Sequence, residues 1–288
     1  QYVNQDVRKR FPGRIMIAED LHSNPAITAD PDRGGAGFHS QWDAQFVHPI
    51  REMVIQADDA GRSMEAVKTA ITYRYEEDAC NRVIYSESHD EVANGKARVP
   101  QEINNDDPTG WHAQKRSTLL FTSPGIPMIF QGQEFLQGEW FRDNVPLDWH
   151  MNEEYHGVAR MYRDLIWLRL NRDGVSRGLC GQNVAVTHVN DQQNLIAFQR
   201  WDQHGDGDDV MVIANCGYEV KEGYRIGMPQ SGEWKLRFNS DASIYSDDFQ
   251  NTLSTHLTAT DEPQDGLPAS AEVTIAPYSV LIYSRDPS

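Results

Sequence analysis

Two acidic residues stand out for their positions. Glu19 directly follows the apolar run Arg14-Ile-Met-Ile-Ala18, and Asp90 closes Ser86-Glu-Ser-His-Asp90, which follows Val83-Ile-Tyr85. A carboxylate at the C-terminal end of a buried strand sits on a rigid support, at the rim where parallel α/β folds gather reactive groups. Acids paired on such a rim suit glycoside chemistry. One carboxyl serves as acid and base, another as nucleophile roughly 5 to 5.5 Å away, and nearby anions stabilise the oxocarbenium charge. Position alone assigns neither role. Glu19-Asp20 fits a helix N-cap or a solvated loop equally well, and His89-Asp90 fits a structural hydrogen-bonded pair. The acids and histidines lack metal-ligand spacing, so no metal is expected.

The elements that must hold these groups alternate. After the first apolar run, residues 50–75 carry a helical period with a break near Gly61. A second strand at Val83-Ile-Tyr85 follows, then a helical stretch from Trp111 to Phe121 that Pro124-Gly125 stops. Ile126-Pro-Met-Ile-Phe130 reads as a third strand, ending in Gln131-Gly-Gln-Glu134. Val158, Met161, Tyr162, Leu165 and Ile166 define an amphipathic helix ending near Asp173-Gly174. Beyond it the period changes. The runs 184–189, 195–198, 210–214 and 280–283 are short, β-rich and separated by turn residues, as in an all-β sandwich. The Asp/Gly-rich stretch 202–209 reads as a hairpin loop. The expected domains are residues 1–175, strand-helix, and 176–288, all β.

The 288 residues include 26 basic and 43 acidic side chains, a formal net charge of −17. Such a surface repels polyanions, which argues against nucleic acid or an anionic membrane as partner. No apolar run approaches the roughly 18 to 20 residues of a spanning helix. Cys80, Cys180 and Cys216 are odd in number and far apart, the pattern of a reducing, cytoplasmic setting. Gly34-Gly-Ala-Gly37 lacks the lysine and context of a phosphate loop, so no nucleotide or other cofactor is expected.

Five motifs occur in order: Ile17-Ala-Glu-Asp20, Gly34-Gly-Ala-Gly-Phe38, Gln41-Trp-Asp43, Ser88-His-Asp-Glu-Val92 and Gly132-Gln-Glu-Phe135. As a set they resemble the α-amylase family. With Gly95-Lys96, Glu139-Trp140 and Leu147-Asp-Trp149 they look most like its branching-enzyme side, over about residues 10–172. The resemblance implies a retaining enzyme that cleaves an α-1,4-glucan and transfers the piece to a 6-hydroxyl; α-amylase-type hydrolysis and a non-catalytic glucan-binding fragment are the alternatives. It implies Glu19 as general acid/base after the fifth barrel strand and Asp90 as transition-state stabiliser after the seventh. His89, Glu91, Trp42 and Trp140 would contact the sugar, the two tryptophans from loops after strands. A proton donor of this kind implies burial or neighbouring acids around Glu19.

The family's nucleophilic Asp, in a Gly-Phe-Arg-x-Asp type segment, has no counterpart among the eighteen residues before Glu19. A (β/α)8 TIM barrel takes about 250 residues and a sandwich about 100. The expectation is therefore the C-terminal half of a barrel, its fifth to eighth units, followed by the sandwich. The N-terminal half-barrel is expected from the full-length protein, and the 288 residues alone are expected to be inactive. Such a half should show two unpaired sheet edges and an exposed apolar face.

Overall fold

The computed structural model describes residues 1–103, 118–249 and 252–287. The chain opens with helix α1 (Tyr2–Arg10) and strand β1 (Ile17–Ala18), and continues with β2 (Ser40–Trp42). Helices α2 (Ala44–Ile55) and α3 (Met64–Thr72) follow, joined through a single turn at Asp59–Gly61. Then come β3 (Arg82–Ile84), the short turns α4 (Val99–Glu102) and α5 (Leu119–Thr122), β4 (Ile126–Pro127), α6 (His150–Glu154) and α7 (His156–Arg169). The four strands form one parallel sheet in the order β1-β2-β3-β4, so each unit lies beside the one before it.

Strand β2 carries no sequence signal. Ser40-Gln-Trp42 has one apolar residue in three, yet it is hydrogen-bonded on both sides, with Ser40 opposite Ile17 and Gln41 opposite Arg82. Trp42 therefore ends a strand rather than lying in the loop after one. The helical period read over 50–75 is two helices. Asp43 caps α2 by accepting a hydrogen bond from the Gln45 N–H at 3.0 Å. Phe46, Val47, Ile50, Met53 and Val54 then bury one face. The helix read over 111–121 lies outside the described residues except for α5.

Among the described residues there is no closed barrel: the parallel sheet has four strands and two free edges. Strand β1 was expected to be buried on both faces, but it is an edge strand, and Ile17 keeps 45% exposure. Phe11 and Ile15 beside it are also exposed, as are Ile166 and Trp167 on α7.

The remaining strands are antiparallel. They are β5 (Asn183–Asn190), β6 (Leu195–Trp201), β7 (Val210–Asn215), β8 (Lys221–Met228), β9 (Gly232–Asn239), β10 (Leu257–Ala259), β11 (Ala269–Ile275) and β12 (Val280–Ser284). Six pair in the order β10-β9-β12-β7-β6-β5, and β11 pairs with β8. Leu195, Ala197, Met211, Ile213 and Leu281 face Ile226, Met228, Val273 and Ile275 of the smaller sheet in one core. Their alternates Ile196, Phe198, Val212 and Ile282 join Met64, Val67, Ile71 and Leu165 in another. Both faces of β6, β7 and β12 are thus buried, which is why their sequence reads as unbroken apolar runs. The 202–209 loop joins β6 to β7. Trp234 is wholly buried, whereas Trp201 is half-buried and stacks on His204 with centroids 4.7 Å apart.

Candidate active site

Glu19 follows β1 immediately, Trp42 ends β2, and His89, Asp90 and Glu91 lie beyond β3, so three adjacent parallel strands deliver these residues to the same end of the sheet. There they meet. The His89 Nε2 lies 3.3 Å from a Glu19 oxygen and 3.5 Å from an Asp90 oxygen. One ligand atom from each of the three falls within 4.8 Å of the others. That spread suits a histidine N–H shared between two acids, and equally a small cation, a possibility the spacing in sequence had argued against. The Trp42 ring meets the His89 ring edge to face at 5.8 Å and the Tyr85 ring at 5.2 Å.

The acids themselves are open. Glu19 keeps 46% of its side-chain exposure and Asp90 60%. The burial expected around Glu19 is not supplied by the described residues. Asp20 turns to His22 at 2.6 Å, a hydrogen bond that holds its carboxyl below the usual carboxylate range. Glu91 is mostly buried, with the His48 Nδ1 4.0 Å from its carboxylate. Trp140 is not brought into this cluster. It is half-exposed, its ring carrying the Arg142 guanidinium 5.0 Å from the centroid.

Beneath the open rim the support is dense. The Ser86 carbonyl accepts from Arg51 at 3.2 Å, and the Ser86 hydroxyl accepts from the Gln133 amide at 2.7 Å. Glu87, fully buried, accepts from the Val99 N–H at 2.6 Å and pairs with Arg98 at 3.4 Å. Burial pushes its carboxyl upward while Arg98 pulls it back. Arg98 is 2% exposed and bonds the carbonyls of Gln131 and Glu139. Lys96 is exposed and donates to the Asp90 carbonyl at 3.1 Å.

The second support is Asp43. Its carboxylate accepts from Arg82 at 3.1 Å and from the Tyr75 hydroxyl at 3.0 Å, with both Asp43 and Arg82 at zero exposure. Tyr85, also fully buried, has no partner for its hydroxyl among the described residues. Its burial, and then the carboxylates of Glu91, Asp43, Glu19 and Asp90, push the phenol well above its ordinary range. Arg82, Glu87 and Tyr85 were not singled out in the sequence. The one cue was their place within or just after an apolar strand, where an ionisable or hydroxyl group must find a partner.

Carboxylates and a histidine converging from successive strand ends, with a tryptophan face beside them, are what hydrolysis or transfer at a sugar acetal requires. Comparison with known proteins adds to this. Residues 186–286 match the family model described as the alpha amylase C-terminal all-beta domain. Along 97% of its length the chain is 31% identical to the 1,4-alpha-glucan branching enzyme GlgB 1 of Xanthomonas euvesicatoria pv. vesicatoria, covering 38% of that protein. The chain belongs to the α-amylase family. It is also 29% identical over 98% of its length to the 1,4-alpha-glucan branching enzyme GlgB of Marinobacter nauticus, covering 45% of it. The chain thus spans less than half the length of these curated relatives. Among solved structures it superposes, with a TM-score of 0.66 and 14% identity, on a pullulanase from Anoxybacillus sp. crystallised with maltotetraose, over 99% of this chain and 41% of that one. A Nostoc punctiforme debranching enzyme gives a TM-score of 0.63 at 16% identity, over 98% of this chain and 53% of the other. At such identities the likeness is one of fold.

Proposed function

We propose that these 288 residues are the C-terminal portion of a retaining α-glucan-active enzyme that breaks an α-1,4 bond and transfers the piece to a 6-hydroxyl. Residues 1–175 act as the fifth to eighth strand-helix units of the catalytic barrel, and 176–288 as the sandwich packed against them. Glu19 is the acid/base and Asp90 the carboxylate that stabilises the oxocarbenium charge. His89 and Trp42 hold the sugar between them, and Glu91 and Trp140 contact the glucan further along. The observation that carries this reading is the convergence of Glu19, His89 and Asp90 within 4.8 Å beyond the ends of β1 and β3, which flank β2.

The free edges of β1 and β4, with exposed Phe11, Ile15 and Ile17, support the further reading that a preceding half-barrel completes the fold. That half supplies the nucleophile and the cover over Glu19. Hydrolysis uses the same intermediate with water as acceptor, and the half-exposed acids keep it as the second reading. No helix among the described residues is long and apolar enough to cross a membrane. No disulfide joins Cys80, Cys180 and Cys216, which supports a cytoplasmic setting.

The test is direct. The purified 288 residues, incubated with amylose, are expected to form neither α-1,6 branches nor new reducing ends, and measurable turnover would overturn the missing-nucleophile reading. Binding of maltoheptaose is expected to weaken about tenfold in His89→Ala, from loss of a side-chain hydrogen bond. Unchanged affinity there would remove the site assignment.

A further inference from the structure

At the open rim two acids lie close together without a fixed cation between them. Among the described residues neither Glu19 nor Asp90 forms an ion pair with a lysine or arginine, and both carboxylates approach the His89 ring within 3.5 Å. Lys96, on the same loop, directs its donor to the Asp90 carbonyl rather than to the carboxylate. Two carboxylates within 4.8 Å of each other and of a ring nitrogen concentrate negative charge that a doubly charged cation relieves.

The spacing is that of a coordination shell. Tetrahedral zinc, with bonds of about 2.0 to 2.2 Å to nitrogen and carboxylate oxygen, places neighbouring ligand atoms about 3.3 to 3.5 Å apart. The His89 Nε2 stands 3.3 Å from a Glu19 oxygen and 3.5 Å from an Asp90 oxygen. The separation of the two acids, at most 4.8 Å, closes by rotation of side chains that are about half exposed. The loop that carries two of the three ligands is itself fixed. The Glu91 N–H donates to the Ser88 hydroxyl at 3.3 Å, the Val92 N–H donates to the Ser88 carbonyl at 3.2 Å, and the Trp42 ring abuts the His89 ring. One imidazole, two carboxylates and an open solvent side match three protein ligands with one exchangeable position. The imidazole nitrogen favours zinc over calcium and magnesium, which take oxygen ligands.

We propose that Glu19, His89 and Asp90 form a zinc site whose occupation excludes sugar from the rim. The metal site stands on the geometry alone; its competition with glucan rests on the function proposed above. Zinc held there occupies the oxygen through which Glu19 delivers a proton and cancels the negative charge that Asp90 presents to the oxocarbenium ion. Bound metal is therefore inhibitory.

Calorimetric titration of the tag-free 288-residue chain with zinc chloride tests this, with Glu19→Gln and His89→Ala as variants. A Cys80→Ser/Cys180→Ser variant removes the exposed thiols as competing ligands. The three rim side chains are 41 to 60% exposed, so replacing them leaves the core intact. The expected result is one zinc per chain, retained in the thiol variant and weakened at least about tenfold in each rim variant. Calcium is expected to bind at least about tenfold more weakly than zinc, and saturating zinc to weaken maltoheptaose binding by about tenfold or more. Zinc affinity unchanged in both rim variants, or lost with the thiols, overturns the metal site and leaves the proposed function standing. Zinc binding lost in the rim variants, with maltoheptaose affinity the same in the presence and absence of zinc, supports the metal site and counts against the sugar contact assigned to His89. Calcium binding as tight as zinc overturns the role given to the ring nitrogen.

Discussion

Replacing Asp43 should show how strongly the fold grips the rim of the candidate site. Its carboxylate does three things at zero exposure: it neutralises Arg82, caps α2 and accepts the Tyr75 hydroxyl. Removing one partner of a buried ion pair costs about 3 to 5 kcal/mol, because the other charge is stranded. Arg82 is softened in this case by carbonyls of Ala70, Ile71 and Pro124 that also accept from it. The lower end of that range, about 3 kcal/mol, is therefore expected for Asp43→Asn, which keeps a capping oxygen. Asp43→Ala forfeits the cap too, about 1 kcal/mol, and leaves Tyr75 unpaired for about 1 kcal/mol more. A total near 5 kcal/mol rivals the whole stability of a modest domain. Urea unfolding followed by tryptophan fluorescence would measure this for Asp43→Asn, Arg82→Met and the double variant. The double variant should be less destabilised than the sum of the singles by about 2 kcal/mol, since it strands no charge. Additivity within about 0.5 kcal/mol would refute the coupling.

Three further outcomes are expected. Trp234→Ala, which empties a wholly buried site and removes the Nε1–H bond to the Gln230 carbonyl at 3.0 Å, should cost about 3 to 5 kcal/mol in the same unfolding assay. Gly157→Ala should lower the thermal midpoint, although alanine is worth about 1 kcal/mol over glycine in a free helix, because a Cβ there would lie 1.7 Å from the Tyr245 carbonyl oxygen; an unchanged or raised midpoint would contradict this close approach. Asp286 is held down to about 2 by hydrogen bonds from Lys235 and Arg237, so its contribution is present above its ordinary value of 3.8 and fades as pH falls toward 2. A carboxyl titration by NMR should show a midpoint near 2 that rises in Arg237→Ala.

What the sequence disclosed follows its chemistry. Apolar runs and periods revealed β3, β6, β7, β12 and α7, because those elements are buried on one or two continuous faces. Strand β2 was invisible because Ser40 and Gln41 are polar residues buried through backbone pairing rather than through their side chains. Strands β8 and β9 were passed over for a related reason: in Lys221-Glu-Gly-Tyr-Arg225 the charges of Glu222 and Arg225 face outward, and no run of apolar residues forms. Motif resemblance, not period, singled out His89 and Trp42, and the structure brings both to Glu19 and Asp90. Trp140 shared the same motif logic, but its ring is engaged with Arg142. The buried pairs Asp43–Arg82 and Glu87–Arg98 join residues 39 and 11 apart, and nothing in one dimension announces which charges will meet in the dark.

The contrast between those buried pairs and the open acids above them bears on mechanism. The residues that hold the loop in place are at most a few per cent exposed, whereas Glu19 and Asp90, the residues proposed to react, keep 46 and 60% of their side-chain surface. A proton donor for a sugar oxygen works best where water is excluded, because low dielectric both raises a carboxylic acid's affinity for its proton and magnifies the attraction of a neighbouring anion for oxocarbenium charge. The described residues supply the alignment and leave the dielectric to whatever covers the face. Cover from a glucan alone would leave the edges of β1 and β4 open. Cover from a preceding half-barrel would close both. Crosslinks or amide protection at Ile15 and Ile17 in a longer protein, absent from the 288 residues alone, would distinguish the two.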